Sequence, residues 1–181
     1  MKWNQIIVLT QNAIGSILQR DTESPTFRKS GETLRQAQGR RGAPKPGQMS
    51  ELVAYVDGGC LGNPGPSGIG VVINGGESGP IRIAKWIGHQ DNNVAEYAAL
   101  MEALQYAVAL NARKLHVYSD SQVVVRQMTG EYTCRSPRLY SLHWTCRKLA
   151  RSLNFSISHV SREDNAEANR LAQSALRRRA N

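Results

Sequence analysis

The sequence predicts an α/β domain with a five-stranded mixed sheet, three antiparallel strands followed by parallel strands, flanked by helices. Three observations predict this fold. Strand-like apolar patterns follow one another at 52–57, 69–74 and 81–87, and the last two meet at a turn-forming Asn-Gly-Gly run. After these strands, apolar residues recur at helical spacing instead of at every second position. Further strand-like and helical segments follow, which gives the overall order βββαβααβα. The sequence contains no internal repeat.

The remaining segments are assigned from their own residue composition and spacing. Residues 58–68 are rich in Gly and Pro and are predicted to form a loop. The first helix is predicted at 95–110, where apolar residues recur at helical spacing before Asn111. Four further elements follow: a strand at 114–120, a short helix at 121–128 ended by Gly130, a strand at 155–160 and a helix at 165–178.

Pro137 can open one more helix, because its fixed φ suits the first helical position. The apolar stripe of this helix consists of Leu139, Leu142, Cys146, Leu149 and Leu153.

Residues 1–50 differ in composition from the rest. From position 20 to 50 the chain is polar, basic and poor in large apolar side chains, so we expect a disordered extension, a folded domain at 51–178 and a basic tail at 179–181. The apolar stretch at 6–18 is too short and polar to span a bilayer, and no clear cleavage site marks it as a signal peptide. Translation from Met49, directly before the first strand, is an alternative that the sequence leaves open.

Composition restricts the partners and the compartment. The 181 residues carry 23 Lys and Arg against 14 Asp and Glu, a net charge of +9, which favours an anionic partner such as nucleic acid or an acidic membrane surface. The three cysteines are an odd number without a Cys-x-x-Cys pair, so they predict neither a disulfide framework nor a zinc site. The reducing cytoplasm fits this pattern best.

Three acidic residues stand where apolar patterns predict burial. Asp57 in YVDGGCLGNPGPSGIG and Asp120 in LHVYSDSQVVVRQ each end a strand pattern, and Glu96 in DNNVAEYAALMEAL lies on the apolar face of the first helix. Singly, Asp120 could be a helix cap, and Glu96 could complement a helix dipole. Together they predict an oxygen-rich site that suits Mg²⁺ or Mn²⁺, the ions that serve phosphodiester cleavage.

With HVSREDNAEANRLAQSAL downstream, these stretches resemble the type 1 ribonuclease H family over about residues 51–176. The resemblance implies an endoribonuclease that hydrolyses the RNA strand of RNA–DNA hybrids with two Mg²⁺ or Mn²⁺ ions. The hybrid is then the expected partner, and neither a membrane nor an obligate protein partner is indicated.

The resemblance also implies roles for single residues. Asp57 would bridge both metal ions, Glu96 and Asp120 would complete the shell of one, and position 169 would help to hold the other. His159 would assist proton transfer or product release. The hybrid's minor groove and its ribose 2′-hydroxyls would be contacted by Cys60, Asn63, Asn92, Asn93 and Gln122.

Two positions depart from the family pattern. Asn169 stands where a fourth carboxylate is expected, and its neutral oxygen predicts weaker metal binding. Asp91 replaces a hydroxyl residue near a DNA phosphate, which it would repel. The helix that corresponds to the family's basic protrusion carries Arg135, Arg138, Arg147, Lys148 and Arg151 with Trp144, within a reduced insertion.

Three alternatives remain. The chain could be a hybrid-binding module that lost its chemistry through Asn169, or another nuclease or integrase on the same fold. DGGCLGNPGPSG and NNVAEY favour ribonuclease H over the integrases. An N-terminal hybrid-binding module is disfavoured, because residues 1–50 offer only Trp3 and Phe27 for base stacking.

Overall fold

The computed structural model describes residues 51–76 and 79–180, so the predictions for residues 1–50 lie outside the described part. Its nine elements follow the predicted order. They are β1 (Glu51–Cys60), β2 (Gly65–Asn74), β3 (Ile81–Gln90), α1 (Asn92–Ala109), β4 (Lys114–Ser119), α2 (Gln122–Thr129), α3 (Pro137–Ala150), β5 (Asn154–His159) and α4 (Ala166–Ala180).

The five strands form one sheet in the order β3-β2-β1-β4-β5. β1 pairs antiparallel with β2, and β2 with β3, whereas β4 runs parallel to both β1 and β5. The predicted mixed sheet, with an antiparallel half and a parallel half, is confirmed.

The helices cover both faces of this sheet. On one face α1 packs against β1 and β2, with α3 against α1, and α4 packs on the other face over β1, β2 and β3. None of the helices in the described ranges has the length and apolar character needed to cross a membrane. The apolar core is formed by the sheet, α1 and α3, and it includes Leu52, Ala54, Val56, Leu100, Leu104, Leu115, Val117, Leu139 and Leu149.

The prediction of a loop over 58–68 is wrong for most of its length. β1 continues through Cys60 and β2 begins at Gly65, so residues 61–64 alone connect them. The glycines here serve close packing. A Cβ on Gly58 would lie 2.1 Å from the backbone of α1, and one on Gly70 would lie 1.9 Å from a carbonyl oxygen of α4. Glycine therefore permits helices to approach both faces of the strands.

Two helix starts differ from their predictions. α1 begins at Asn92, three residues early, because Asp91 caps it by accepting a hydrogen bond from Val94 N at 2.9 Å. α2 is capped by Ser121, whose Oγ accepts from Val124 N at 3.4 Å. Asp120 is therefore not the cap of α2. The start of β2 moves four residues, from 69 to 65; the other boundaries shift by at most three residues, and α4 continues to Ala180.

Candidate active site

The pairing of β1 with β4 brings Asp57 beside Asp120. These strands are parallel, and the last pair in register is Val56 with Ser119, so Asp57 and Asp120 occupy the next positions of the two chains. Residues at matching positions of parallel strands point to the same face. Asp57 pairs with Gly70 of β2 on its other side, and Gly70 lies beneath α4. Both carboxylates therefore lie on the α4 face of the sheet.

Glu96 reaches the same point from the opposite face. It lies on α1 beside Gly58, whose lack of a side chain lets the helix backbone come close to β1. Its Oε2 accepts a hydrogen bond from Gly58 N at 3.2 Å. Since α1 starts at Asn92, Glu96 lies beyond the first turn, and helix-dipole complementarity does not explain it.

The three carboxylates converge in a cleft of about 480 Å³. One oxygen from each of Asp57, Glu96 and Asp120 lies within 4.8 Å of the other two. The cleft is also lined by Arg162 and Asn169 and, together with other residues, by Cys60 and Asn92. We call this the acidic cleft.

Burial and mutual repulsion raise the pKa of two of these carboxyl groups. Burial, followed by the charge of Asp120, raises the pKa of Asp57 from 3.8 to about 6. Burial, then the charges of Asp57 and Asp120, raise the pKa of Glu96 to about 9, although Gly58 N and Arg162 oppose the rise. A divalent cation would relieve this repulsion, and carboxylate oxygens are the ligands that Mg²⁺ and Mn²⁺ prefer, so the donor set fits such ions.

Asn165 supports this site, and sequence reasoning missed it. Its side chain is 1% exposed, and its Nδ2 donates to Val56 O at 2.9 Å and to Asp120 Oδ1 at 2.8 Å. Because both amide protons are used, Asn165 fixes Asp120 relative to β1. The available signal was its spacing, four residues before Asn169 and therefore on the same side of a helix.

Asn169 lies on α4 in the wall of the acidic cleft, next to Arg162 from the turn before that helix. An arginine can only donate, so the Asn169 oxygen must face it. In that orientation the oxygen accepts from Arg162 Nε and Nη2, each at 3.0 Å. Arg162 is the second residue that sequence reasoning missed.

Neither neighbouring acid takes the place of the absent carboxylate. Glu167 is bound by Arg82, with Nε to Oε1 at 2.6 Å, so it faces β3. Asp164 lies in the turn before α4, where its backbone N donates to Ser161 Oγ at 3.1 Å and its Oδ2 accepts from the same hydroxyl at 2.7 Å. Asn169 is therefore the side chain that α4 offers to the cleft at that point.

Three of the five predicted substrate contacts form one group. Asn63 Oδ1 accepts from Asn92 N at 3.1 Å, and Cys60 Sγ lies 3.9 Å from Asn92 Oδ1. Asn93 is exposed beside them, and Gln122 is exposed at the start of α2. This group lies at one side of the acidic cleft, which Cys60 and Asn92 help to line.

His159 is exposed at the last position of β5, and it is not among the residues that line the acidic cleft in the described part of the chain. Asp91, besides capping α1, faces Arg138 of α3, with Oδ2 to Nη1 at 3.7 Å. Further along α3, Trp144 is exposed and Lys148 Nζ lies 5.2 Å from the centre of its ring. The basic helix thus keeps an aromatic side chain at its surface.

Comparison with known proteins agrees with this geometry. The family model described as reverse transcriptase-like matches residues 55–175. Ribonuclease HI of Halobacterium salinarum is 36% identical over 73% of this chain and 67% of its own length. The bifunctional protein Rv2228c of Mycobacterium tuberculosis is 37% identical over 70% of this chain, which spans only 35% of that longer protein.

Solved structures agree as well. LC11-RNase H1, from a compost metagenome, was solved in complex with an RNA/DNA hybrid. It superimposes with a TM-score of 0.67 at 33% identity, covering 72% of this chain and 99% of its own. The sheet order, the carboxylate cluster and these relatives lead to one conclusion: the chain belongs to the type 1 ribonuclease H family.

Proposed function

We propose that this protein is an endoribonuclease that hydrolyses the RNA strand of RNA–DNA hybrids. The observation that carries the proposal is the meeting of Asp57, Glu96 and Asp120 within 4.8 Å in an open cleft. A relative of the same fold was solved on an RNA/DNA hybrid, which supports this substrate class. We assign the activity to the domain at 51–178 and its place of action to the cytoplasm.

The acidic cleft would hold two divalent ions, Mg²⁺ or Mn²⁺. When bound, such ions activate water and stabilise the leaving oxygen of an in-line displacement. Asp57 lies beside Asp120 on the sheet and within reach of Glu96, so it is the best candidate to serve both ions. Glu96 and Asp120 would complete one set of ligands, and Asn169 would offer the other ion the neutral oxygen that otherwise accepts from Arg162.

The substrate would lie across the cleft. Cys60, Asn63 and Asn92 form a contiguous polar group at its side, suited to the minor groove and its 2′-hydroxyls. Asn93 and Gln122 are exposed and would extend this contact. We retain His159 as a candidate for proton transfer or product release, in which case the histidine would act from the exposed edge of β5.

A labelled hybrid incubated with Mg²⁺ or Mn²⁺ tests the proposal. Asp57→Asn should lower the cleavage rate by about a hundredfold or more, because it removes a buried charge from the centre of the site. Glu131→Gln changes an exposed acid in the segment between α2 and α3 and serves as the matched control. Equal cleavage by wild type and Asp57→Asn would contradict the proposal.

A second candidate is a hybrid-binding module without catalysis. The neutral Asn169 favours it, since a neutral dipole binds Mg²⁺ less well than a carboxylate does. Hybrid binding without cleavage at any metal concentration would identify the module. If the enzyme is active, Asn169→Asp should lower the concentration of Mg²⁺ or Mn²⁺ needed for half-maximal cleavage. An unchanged metal requirement would show that position 169 does not bind metal.

A further inference from the structure

Arg162 brings a positive charge to the acidic cleft. It lies in the turn that precedes α4, is exposed, and lines the cleft together with the three carboxylates. Its charge lowers the pKa of both Asp57 and Glu96, against the larger effect of burial. The guanidinium is thus close enough to act on groups in the centre of the cleft, and it also has an open side for a ligand.

Asn169 orients this guanidinium without neutralising it. With the amide turned so that its oxygen faces the arginine, that oxygen accepts from Nε and Nη2, both at 3.0 Å, and the two hydrogen bonds fix the plane of the group. Asn169 Nδ2 then lies 2.7 Å from the side-chain amide of Gln173, which has to present its oxygen to accept this proton. A carboxylate at position 169 would hold the arginine in the same way but would cancel its charge. The neutral amide adds no negative charge to that of the three carboxylates, so the arginine keeps more of its positive charge for a further partner.

An anion is the partner that such an arginine fits. Planar guanidinium groups bind phosphate through paired hydrogen bonds, and a guanidinium aimed at a transferring phosphoryl group stabilises its developing charge. Asn169 is also the place where the cleft lacks a fourth carboxylate, so the divalent ion held there would be bound weakly. Arg162 therefore puts a fixed cation where the metal charge is weakest.

We propose that Arg162, oriented by Asn169, binds the non-bridging oxygens of the scissile phosphate and makes up for a weakly held second metal ion. The inference rests on the proposed function, because the phosphate belongs to the hybrid. Arg162 and Asn169 then act as a pair. Compared with a carboxylate, Asn169 lowers the affinity for metal, but it leaves the charge of Arg162 available to the substrate.

Binding of an uncleaved hybrid gives a test that does not depend on turnover. In the full chain carrying Asp57→Asn, with EDTA present, the added change Arg162→Gln should reduce the slope of log affinity against log salt by about 1, the loss of one phosphate contact. Arg170→Gln is the matched control, because Arg170 lies on α4 outside the cleft lining and faces Glu167 at 3.9 Å. It should leave the slope unchanged. An unchanged slope with Arg162→Gln would overturn the phosphate contact.

Turnover tests the pairing with Asn169. At saturating Mn²⁺, Arg162→Gln should lower kcat by about a hundredfold in the wild type. In the Asn169→Asp background the carboxylate neutralises Arg162 and restores a metal ligand, so the same change should have an effect about tenfold smaller, a coupling within the range of contacting residues. Equal losses in both backgrounds would overturn the pairing.

The proposed function and the proposed role of Arg162 can be contradicted independently of each other. If Asp57→Asn cleaves as fast as wild type, the proposed function is wrong. If Asp57→Asn is inactive and Arg162→Gln matches wild type in both slope and kcat, only the role of Arg162 is wrong. Because Arg162 is exposed, its replacement removes no core contact, and a folded variant is expected.

Discussion

Asn165 determines where the Asp120 carboxylate stands. It donates one proton to the backbone of β1 and the other to Asp120, at 2.9 and 2.8 Å, from a position that is almost fully buried. A serine or an alanine could not make both contacts. The residue holds Asp120, a proposed metal ligand, in place without contacting the proposed metal or substrate itself.

Asn165→Ala should therefore weaken both folding and metal binding. Loss of the buried hydrogen bond to Val56 O should lower the free energy of unfolding by about 1–3 kcal/mol. The loss of the partner to Asp120 should lower Mn²⁺ affinity about tenfold or more, as loss of a ligand's supporting hydrogen bond typically does. Thermal unfolding and calorimetric Mn²⁺ titration measure the two effects. Asn154→Ala, at an exposed position of β5, is the control. A folded Asn165→Ala protein with wild-type Mn²⁺ affinity would contradict the assignment.

At the scale of secondary-structure elements, the site depends on how closely α1 approaches β1. The helix backbone at Ala95 and Glu96 occupies the space that a Cβ on Gly58 would need, with distances of 2.1 to 2.3 Å. Gly58 N also donates to the Glu96 carboxylate at 3.2 Å. One glycine thus sets both the position of the helix and the direction of its acidic side chain.

Gly58→Ala should force α1 away from the sheet. Overpacking of this kind lowers the free energy of unfolding by about 1–3 kcal/mol and occasionally more. We expect a reduced melting temperature together with weaker Mn²⁺ binding, because Glu96 moves with its helix. Gly59→Ala is a close control, since its Cβ would meet nothing within 4 Å. Equal melting temperatures for the two variants would show that α1 does not depend on this contact.

At the scale of the whole molecule, the sequence predicted the architecture better than the detail of the site. Asp57, Glu96 and Asp120 could be found because each interrupts an apolar pattern. Asn165 could not, because its partners Val56 and Asp120 lie 109 and 45 residues away and meet it only in the folded chain. The continuation of β1 past Asp57 could not be predicted either, because α1, which packs on Gly58, is distant in sequence. In a sequence, glycine is typical of loops; only the folded structure shows that a helix packs closely against the strand at this glycine.

The carboxylate cluster should also govern the pH dependence of stability when divalent ions are absent. The pKa of Asp57 is about 6 in the folded protein against an ordinary 3.8, so the folded state binds this proton more tightly than the unfolded state does. The resulting stability is fully present below about pH 4 and is lost as pH rises through about 6. Glu96, with its pKa raised to about 9, extends the loss to higher pH.

Thermal unfolding in EDTA should therefore show a lower melting temperature at about pH 8 than at about pH 5. Added Mn²⁺ should raise the melting temperature, and the increase should be larger at the higher pH. There the carboxylates have lost their protons, and a bound cation neutralises their charge instead. Asp57→Asn should reduce the difference between the two pH values. A metal-free melting temperature that is the same at both pH values in the wild type would contradict this account.

The parallel register of β1 and β4 has a practical consequence for handling the protein. Asp57 and Asp120 meet only when Val56 is opposite Ser119, and a slip of one residue would turn Asp120 toward the apolar core. A compact but misregistered molecule would then lack the carboxylate cluster while keeping much of its secondary structure. The fraction of refolded molecules that bind Mn²⁺ would therefore report how many have the correct register. Circular dichroism does not report this, because it measures secondary structure.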